Sequence, residues 1–280
     1  MLGNEESDRL AKEVAMKEDA DDLDLEIPDS FNIQGAKLAA LTQAVAYRGV
    51  METKPRPPRP GCSENLTMAK EAVEAGNGTK ETDESIWTSI RNPTIRIRVR
   101  QFLYKTMHQA YMIGHVWSGI QGYETRAICE TCNVVESMEH ILLECRANAP
   151  RTNWKRAKET WPHGQRLWPN ISLGTILGIG CINLPPDRPP QDNDRPKHTT
   201  KEKGRSRLLQ ILISEASHLI WTLRCEHSIQ QQRHTRREIK GRWTKAISHR
   251  ISTDKIIATK IKRDPKFTSL VEATWSKVTQ

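Results

Sequence analysis

The chain has 280 residues, 36% hydrophobic and 28% charged, with a formal net charge of +9 at neutral pH. Ordering a residue costs roughly 1–2 kcal/mol of backbone entropy, so a chain this lean in apolar side chains either leaves long stretches loose or recruits another stabiliser such as a metal ion. There is no apolar run long enough for a membrane span, and Met1-Leu-Gly-Asn-Glu-Glu-Ser-Asp-Arg-Leu10 has no basic-then-apolar leader, so the expectation is a soluble, intracellular protein, nuclear or cytoplasmic.

The charge is unevenly spread. Residues 1–30 carry eleven acidic and three basic side chains, whereas residues 203–263 carry fifteen Lys and Arg against four Asp and Glu. Proline-rich stretches at 53–61 and 183–196 read as extended linkers. The division expected is an acidic segment 1–30 with a loose N-terminus, a helix and proline-rich linker over 31–65, a helical module over 66–182, a disordered linker over 183–204, and a basic helical region over 205–280. The fold class expected is mainly α.

In the central module, Asn92-Pro93 predicts a capped helix start, followed by Ile95, Val99, Phe102, Leu103, Met107 and Ala110 on one face. Arg96, Arg98, Arg100 and Lys105 fall on its polar faces. Next comes the sharpest signal, Cys129-Glu-Thr-Cys132, then His140, then Cys145, a C-x2-C-x7-H-x4-C spacing. Two thiolates two residues apart grip one ion from a tight loop, and a His and Cys five positions apart complete a tetrahedron, so Cys129, Cys132, His140 and Cys145 are the expected ligands of a structural Zn²⁺. Four protein ligands leave no open position for a catalytic water.

Beyond Gly204, Leu208, Leu209, Leu212, Ala216, Leu219, Ile220 and Leu223 form an apolar stripe, and Ile239, Trp243, Ala246, Ile247 and Ile251 form another. Glu215 and His218 have the E-x-x-H spacing of di-iron bundles, but no second such motif exists, so a polar pair within a packed helix is favoured. Phosphate-loop, nucleophile-elbow and dinucleotide-binding glycine motifs are absent. Arg233, Arg236, Arg237, Lys240 and Lys245, with Arg96, Arg98, Arg100 and Lys105, are the candidate phosphate contacts for RNA or DNA, read without base specificity. Trp221, Trp243 and Trp275 are expected in the core rather than stacked on bases.

Residues 82–145, with Asp83-Glu-Ser-Ile-Trp87, Arg100-Gln-Phe-Leu103, His108, Gly122-Tyr-Glu124 and Ser137-Met-Glu-His140 beside the cysteines, resemble the zinc-binding region that follows ribonuclease H in non-LTR retrotransposon reverse transcriptases. Gly35-Ala-Lys-Leu38, Thr42-Gln43, Ala46-Tyr47, the stretch 213–221 and Arg224-Cys-Glu226 resemble its flanks. Gly3-Asn-Glu-Glu-Ser-Asp-Arg-Leu-Ala-Lys12 is similar to the last ribonuclease H motif, which makes Asp8 the match to that family's final carboxylate. The resemblance implies Mg²⁺ chemistry only with a complete ribonuclease H domain, so the chain by itself is expected to bind nucleic acid rather than to cleave it. The alternatives are a helical interaction module that assembles with a nuclease domain or a second copy of itself, and a fragment of a hybrid-cleaving nuclease. No membrane partner is expected.

Overall fold

The computed structural model describes residues 2–17, 42–54, 60–187, 198–260 and 265–278. The chain divides into two units, residues 1–57 and 58–280. The first contains α1 (Leu2–Ala15) and α2 (Gln43–Thr53), the latter capped by the Thr42 hydroxyl, which accepts from the Val45 N–H at 3.3 Å. No described side chain of this unit is buried. The acidic stretch 18–30, the Gly35-Ala-Lys-Leu38 match and the proline-rich residues 55–59 lie outside the described residues.

The second unit is built from α3 (Pro60–Asn77), α4 (Asp83–Ile90), α5 (Ile97–Met107), a short α6 (His115–Ser118), α7 (Asn148–Thr160), a short α8 (Leu173–Leu177), α9 (Thr200–Gln230), α10 (Arg236–Lys260) and α11 (Pro265–Trp275). The protein is mainly helical, and no strand occurs among the described residues beyond one isolated bridge. No described helix is long and apolar enough to cross a membrane.

A single core runs from Leu66 to Trp275, so the central and C-terminal blocks expected from the sequence pack as one body. The expected linker at 183–204 is shorter than its prolines suggest. Leu184 is buried with its N–H on the Ser206 hydroxyl at 3.0 Å, and α9 starts at Thr200 with a reciprocal Thr199 and Glu202 capping box. Prolines 189, 190 and 196 lie outside the described residues.

α9 is the axis of this unit. Its expected apolar stripe is buried except for the half-buried Leu219, but so is every other residue from Gly204 to Ser217. α5, α7, α8, α10 and α11 surround it, and a helix enclosed on all sides must find partners for its polar side chains. Arg205 donates to Asp187 at 2.5 Å, Glu215 accepts from Arg96, and Gln210 donates to the Ile182 carbonyl at 3.1 Å. Arg207 meets Asp254 at 2.8 Å, and Asp254 also accepts from Trp275 Nε1 at 2.8 Å and faces Arg250 at 3.4 Å. One buried carboxylate thus joins α9, α10 and α11, and Arg250 reaches on to the Thr94 carbonyl at 2.9 Å.

The central helix begins four residues later than its sequence predicts. Asn92 closes only a single turn: its side-chain oxygen accepts from the Thr94 N–H at 2.9 Å, as a cap does, while its amide donates to the Gly180 carbonyl at 3.1 Å. This turn carries Pro93, and α5 starts after Arg96, whose backbone is extended. Val99, Phe102, Leu103 and Met107 are buried as expected, whereas Ala110 lies exposed beyond the helix end. On the far side of the core α3 and α8 approach closely, because a Cβ on Gly174 would overlap the Met68 carbonyl and one on Gly178 would meet Val73.

His218, half-buried on α9 against the Phe102 ring, has its pKa pulled down to about 4 by burial and then by Arg96 and Arg98. Below pH 6.5 the unfolded chain takes up a proton that the folded chain refuses until about pH 4. The neutral imidazole therefore contributes stability above pH 6.5 that is lost as pH falls through this window, at roughly 1.4 kcal/mol per unit. Urea unfolding at pH 7, 6 and 5 is expected to show a shallower loss for His218→Leu than for the parent chain.

Candidate metal centre

The centre is assembled from two local structures. In the first, Cys129 and Cys132 bracket a tight turn in which the Cys129 N–H donates to Val134 and the Asn133 N–H donates to the Cys129 carbonyl, both at 2.8 Å. Asn133 adopts φ +55°, a conformation asparagine tolerates better than most residues. An antiparallel bridge between Ile128 and Val135 closes the turn at its base, where the Glu136 N–H donates to Ala127 at 2.8 Å.

In the second, residues His140–Glu144 form a π-helical turn, ending in a hydrogen bond from the Cys145 N–H to the His140 carbonyl at 2.8 Å. The i to i+5 closure of a π turn sets residues five apart beside each other, which is the physical meaning of the x4 spacer between His140 and Cys145. Ile141 and Leu142 anchor the turn in the core, and Trp154 Nε1 donates to the Leu142 carbonyl at 2.7 Å.

Together these bring one donor atom from each of Cys129, Cys132, His140 and Cys145 within 4.8 Å of one another. Among the described residues this is the one such cluster of metal-ligating side chains. The Cys129 and Cys145 sulfurs lie 3.7 Å apart and those of Cys132 and Cys145 3.9 Å apart, too far for a disulfide near 2.05 Å. Nε2 of His140, in a side chain only 7% exposed, has no hydrogen-bond partner, whereas Nδ1 faces the Glu144 carboxylate at 3.8 Å. A buried nitrogen without a partner is costly unless an ion takes its lone pair. The residues fit a metal ion, with Glu144 placed to orient the ring from behind.

The electrostatics suit a cation. The Arg146 N–H, donating to Cys132 Sγ at 3.3 Å, lowers that thiol's pKa. Burial, followed by the charge of the neighbouring Cys129 and Cys132, pushes the Cys145 thiol up to about 12 against the opposing Ala147 N–H. Crowded sulfurs repel as thiolates, and a cation at their centre inverts this penalty.

Three residues that sequence reasoning missed support the centre. Glu136, buried next to the turn, pairs with Arg224 of α9 through both carboxylate oxygens. Gly114, at φ +52° and ψ −122°, lies so near that a Cβ would overlap the Glu136 carbonyl oxygen. Trp154 is the third. Arg224 appears in the resembling flank, but neither Glu136 nor Gly114 carries a pattern in the chain.

The other predicted site residues are dispersed. Asp8 sits exposed on α1, in no group of potential metal ligands among the described residues. Arg96 is bound to the buried Glu215, which corrects its expected role as a phosphate contact. Arg100 donates Nε to the Ile95 carbonyl at 2.6 Å. Arg98 and Lys105 are exposed, with Lys105 above the Tyr111 ring. Arg233, Arg236, Arg237, Lys240 and Lys245 are exposed on α10 or just before it, Arg233 being 3.7 Å from Glu130 and Arg236 donating to Asn148 at 3.2 Å. Trp243 and Trp275 are core residues, and Trp221 is half-buried against Phe102 and Tyr111.

Comparison with protein-family models, curated proteins and solved structures returns no match.

Gly114→Ala is expected to lower unfolding stability by more than about 2 kcal/mol, because the Cβ meets a carbonyl oxygen at a backbone conformation that L-residues avoid. Glu136→Gln leaves Arg224 without its counter-charge and is expected to cost about 3–5 kcal/mol. Both are checked by denaturant titration.

Proposed function

We propose that this chain is a zinc-stabilised module that binds nucleic acid through its phosphates, of the type that follows ribonuclease H in non-LTR retroelement reverse transcriptases. The observation that carries the reading is the three-sulfur, one-imidazole cluster. Bonds of ~2.3 Å to sulfur arranged tetrahedrally give sulfur–sulfur edges of about 3.8 Å, between the 3.7 and 3.9 Å found here. A thiolate-rich tetrahedron is the preference of Zn²⁺ rather than of oxygen-seeking Mg²⁺ or Ca²⁺. With all four positions taken by protein the metal's role is structural, holding a turn that has few apolar side chains of its own.

Nucleic-acid binding is supported by the basic residues that the fold leaves outside. Arg205, Arg207, Arg224, Arg242 and Arg250 are each paired with a carboxylate of the fold, so much of the C-terminal charge excess serves folding. Arg237, Lys240 and Lys245 have no ion pair among the described residues and face solvent.

A second reading has its own observation. Beside the centre, Met112, Val116, Ile120, Tyr123, Val134 and Val135 are each 37–51% exposed, an apolar surface suited to a protein partner or a second copy of the chain. Salt-insensitive self-association in sedimentation experiments would favour it.

Purified protein is expected to hold one equivalent of zinc by elemental analysis, and Cys145→Ser to lose most of it together with stability. Less than about half an equivalent after refolding with zinc would refute the metal assignment. Anisotropy titrations with labelled RNA or DNA are expected to give Kd values on the order of 10⁻⁴–10⁻⁶ M at physiological salt, with affinity falling steeply as salt rises.

A further inference from the structure

The exposed residues of α7 follow one stripe, Asn148, Arg151, Lys155 and Lys158, with Glu159 alongside. α7 packs against α10: Thr160 Oγ1 accepts from Trp243 Nε1 at 3.1 Å, and Asn148 accepts from Arg236 at 3.2 Å. The Asn148 contact joins the α7 stripe to the exposed side of α10 at its first turn. Across the two helices nine exposed Lys and Arg stand against two exposed Glu. Of these Glu, Glu159 is 3.8 Å from Lys155 and 2.8 Å from Arg156, and Glu238 is bound into the Thr235 cap. Arg151 and Lys158 have no ion pair among the described residues.

We infer that α7 and α10 together form a binding face for the sugar-phosphate backbone of a nucleic-acid duplex. The inference rests on the nucleic-acid reading above and extends it in two ways, by adding α7 to the surface and by naming double-stranded nucleic acid as the ligand. No large hydrophobic side chain is exposed on α7 or on α10 before Ile256, so the face lacks the apolar anchor that a protein partner needs. It also lacks an exposed aromatic ring: Trp154 donates its Nε1 to Leu142, and Trp243 is buried. Single-strand binders combine cationic grooves with rings on which unpaired bases stack, whereas a duplex keeps its bases stacked and offers two rows of phosphates. Two adjoining cationic helices with neither apolar anchors nor stacking rings suit the second.

The test uses the full zinc-loaded chain and fluorescence anisotropy, with a 20-base-pair duplex and one of its strands as probes, between 50 and 200 mM salt. Arg151→Gln/Lys155→Gln/Lys158→Gln is compared with Arg237→Gln/Lys240→Gln/Lys245→Gln. All six side chains are exposed, and unchanged circular dichroism and zinc content confirm that each variant is folded. The expected result is at least tenfold tighter binding of the duplex than of the single strand. Each triple variant should flatten the duplex log–log salt slope by about 2.7 units, since each of three phosphates neutralised contributes about 0.9. Replacement of Lys155 and Lys158 by arginine should preserve the parent slope. An α7 variant with the parent slope, beside a flattened α10 variant, would overturn this inference and leave the nucleic-acid reading standing. Equal or tighter binding of the single strand would also overturn it. Parent slopes in both variants, or no binding at all, would refute the nucleic-acid reading as well.

Discussion

Burial of α9 on every side from Gly204 to Ser217 is the constraint from which the rest of the second unit follows. A helix that carries Arg205, Arg207, Gln210, Glu215 and Arg224 can occupy the middle of a protein only if each charge meets its complement, because an unpaired buried ion costs several kcal/mol. Those complements come from the segment before the helix (Asp187), from α10 (Asp254), from the residue preceding α5 (Arg96) and from the cysteine turn (Glu136). The ion pairs therefore select which elements lie where, while Leu208, Leu209, Leu212 and Ala216 supply the apolar contact.

The candidate metal centre anchors a stretch that has little core of its own. The stretch 111–137 has few fully buried apolar side chains, and many of its hydrophobic residues face outward. Its attachment runs through four metal-ligating side chains, the Glu136 to Arg224 pair and the close passage of Gly114. Ile141 and Leu142 plug the turn that carries His140 into the common core. Loss of metal is thus expected to be felt first in this stretch, since the core proper does not depend on the four ligands.

The basic side chains of this chain also fall into two sets. The excess of Lys and Arg near the C-terminus looks uniform along the sequence, but the fold sorts it. Arg205, Arg207, Arg242 and Arg250 are turned inward as structural partners of carboxylates, whereas Arg237, Lys240 and Lys245 remain outside and adjoin the stripe of α7. The inward set is closed to any polyanion, so net charge alone would overstate the basic surface available.

The helical class, the buried stripes of α9 and α10 and the four-ligand cluster were legible in the chain, because each depends on spacing along one segment: 3.6-residue periodicity, two cysteines in one turn, and a His and Cys one π turn apart. What tertiary structure alone decided is everything that joins distant segments. Asn92 caps only a single turn, its amide tied to the Gly180 carbonyl far along the chain, and the helix starts after Arg96. Arg96 faces Glu215 rather than solvent, and the central and C-terminal blocks share a core despite the prolines between them. Local periodicity records how a helix presents its faces. Which neighbour covers each face, and which charge is taken inward, is settled only when segments far apart in sequence compete to satisfy the same buried polar groups.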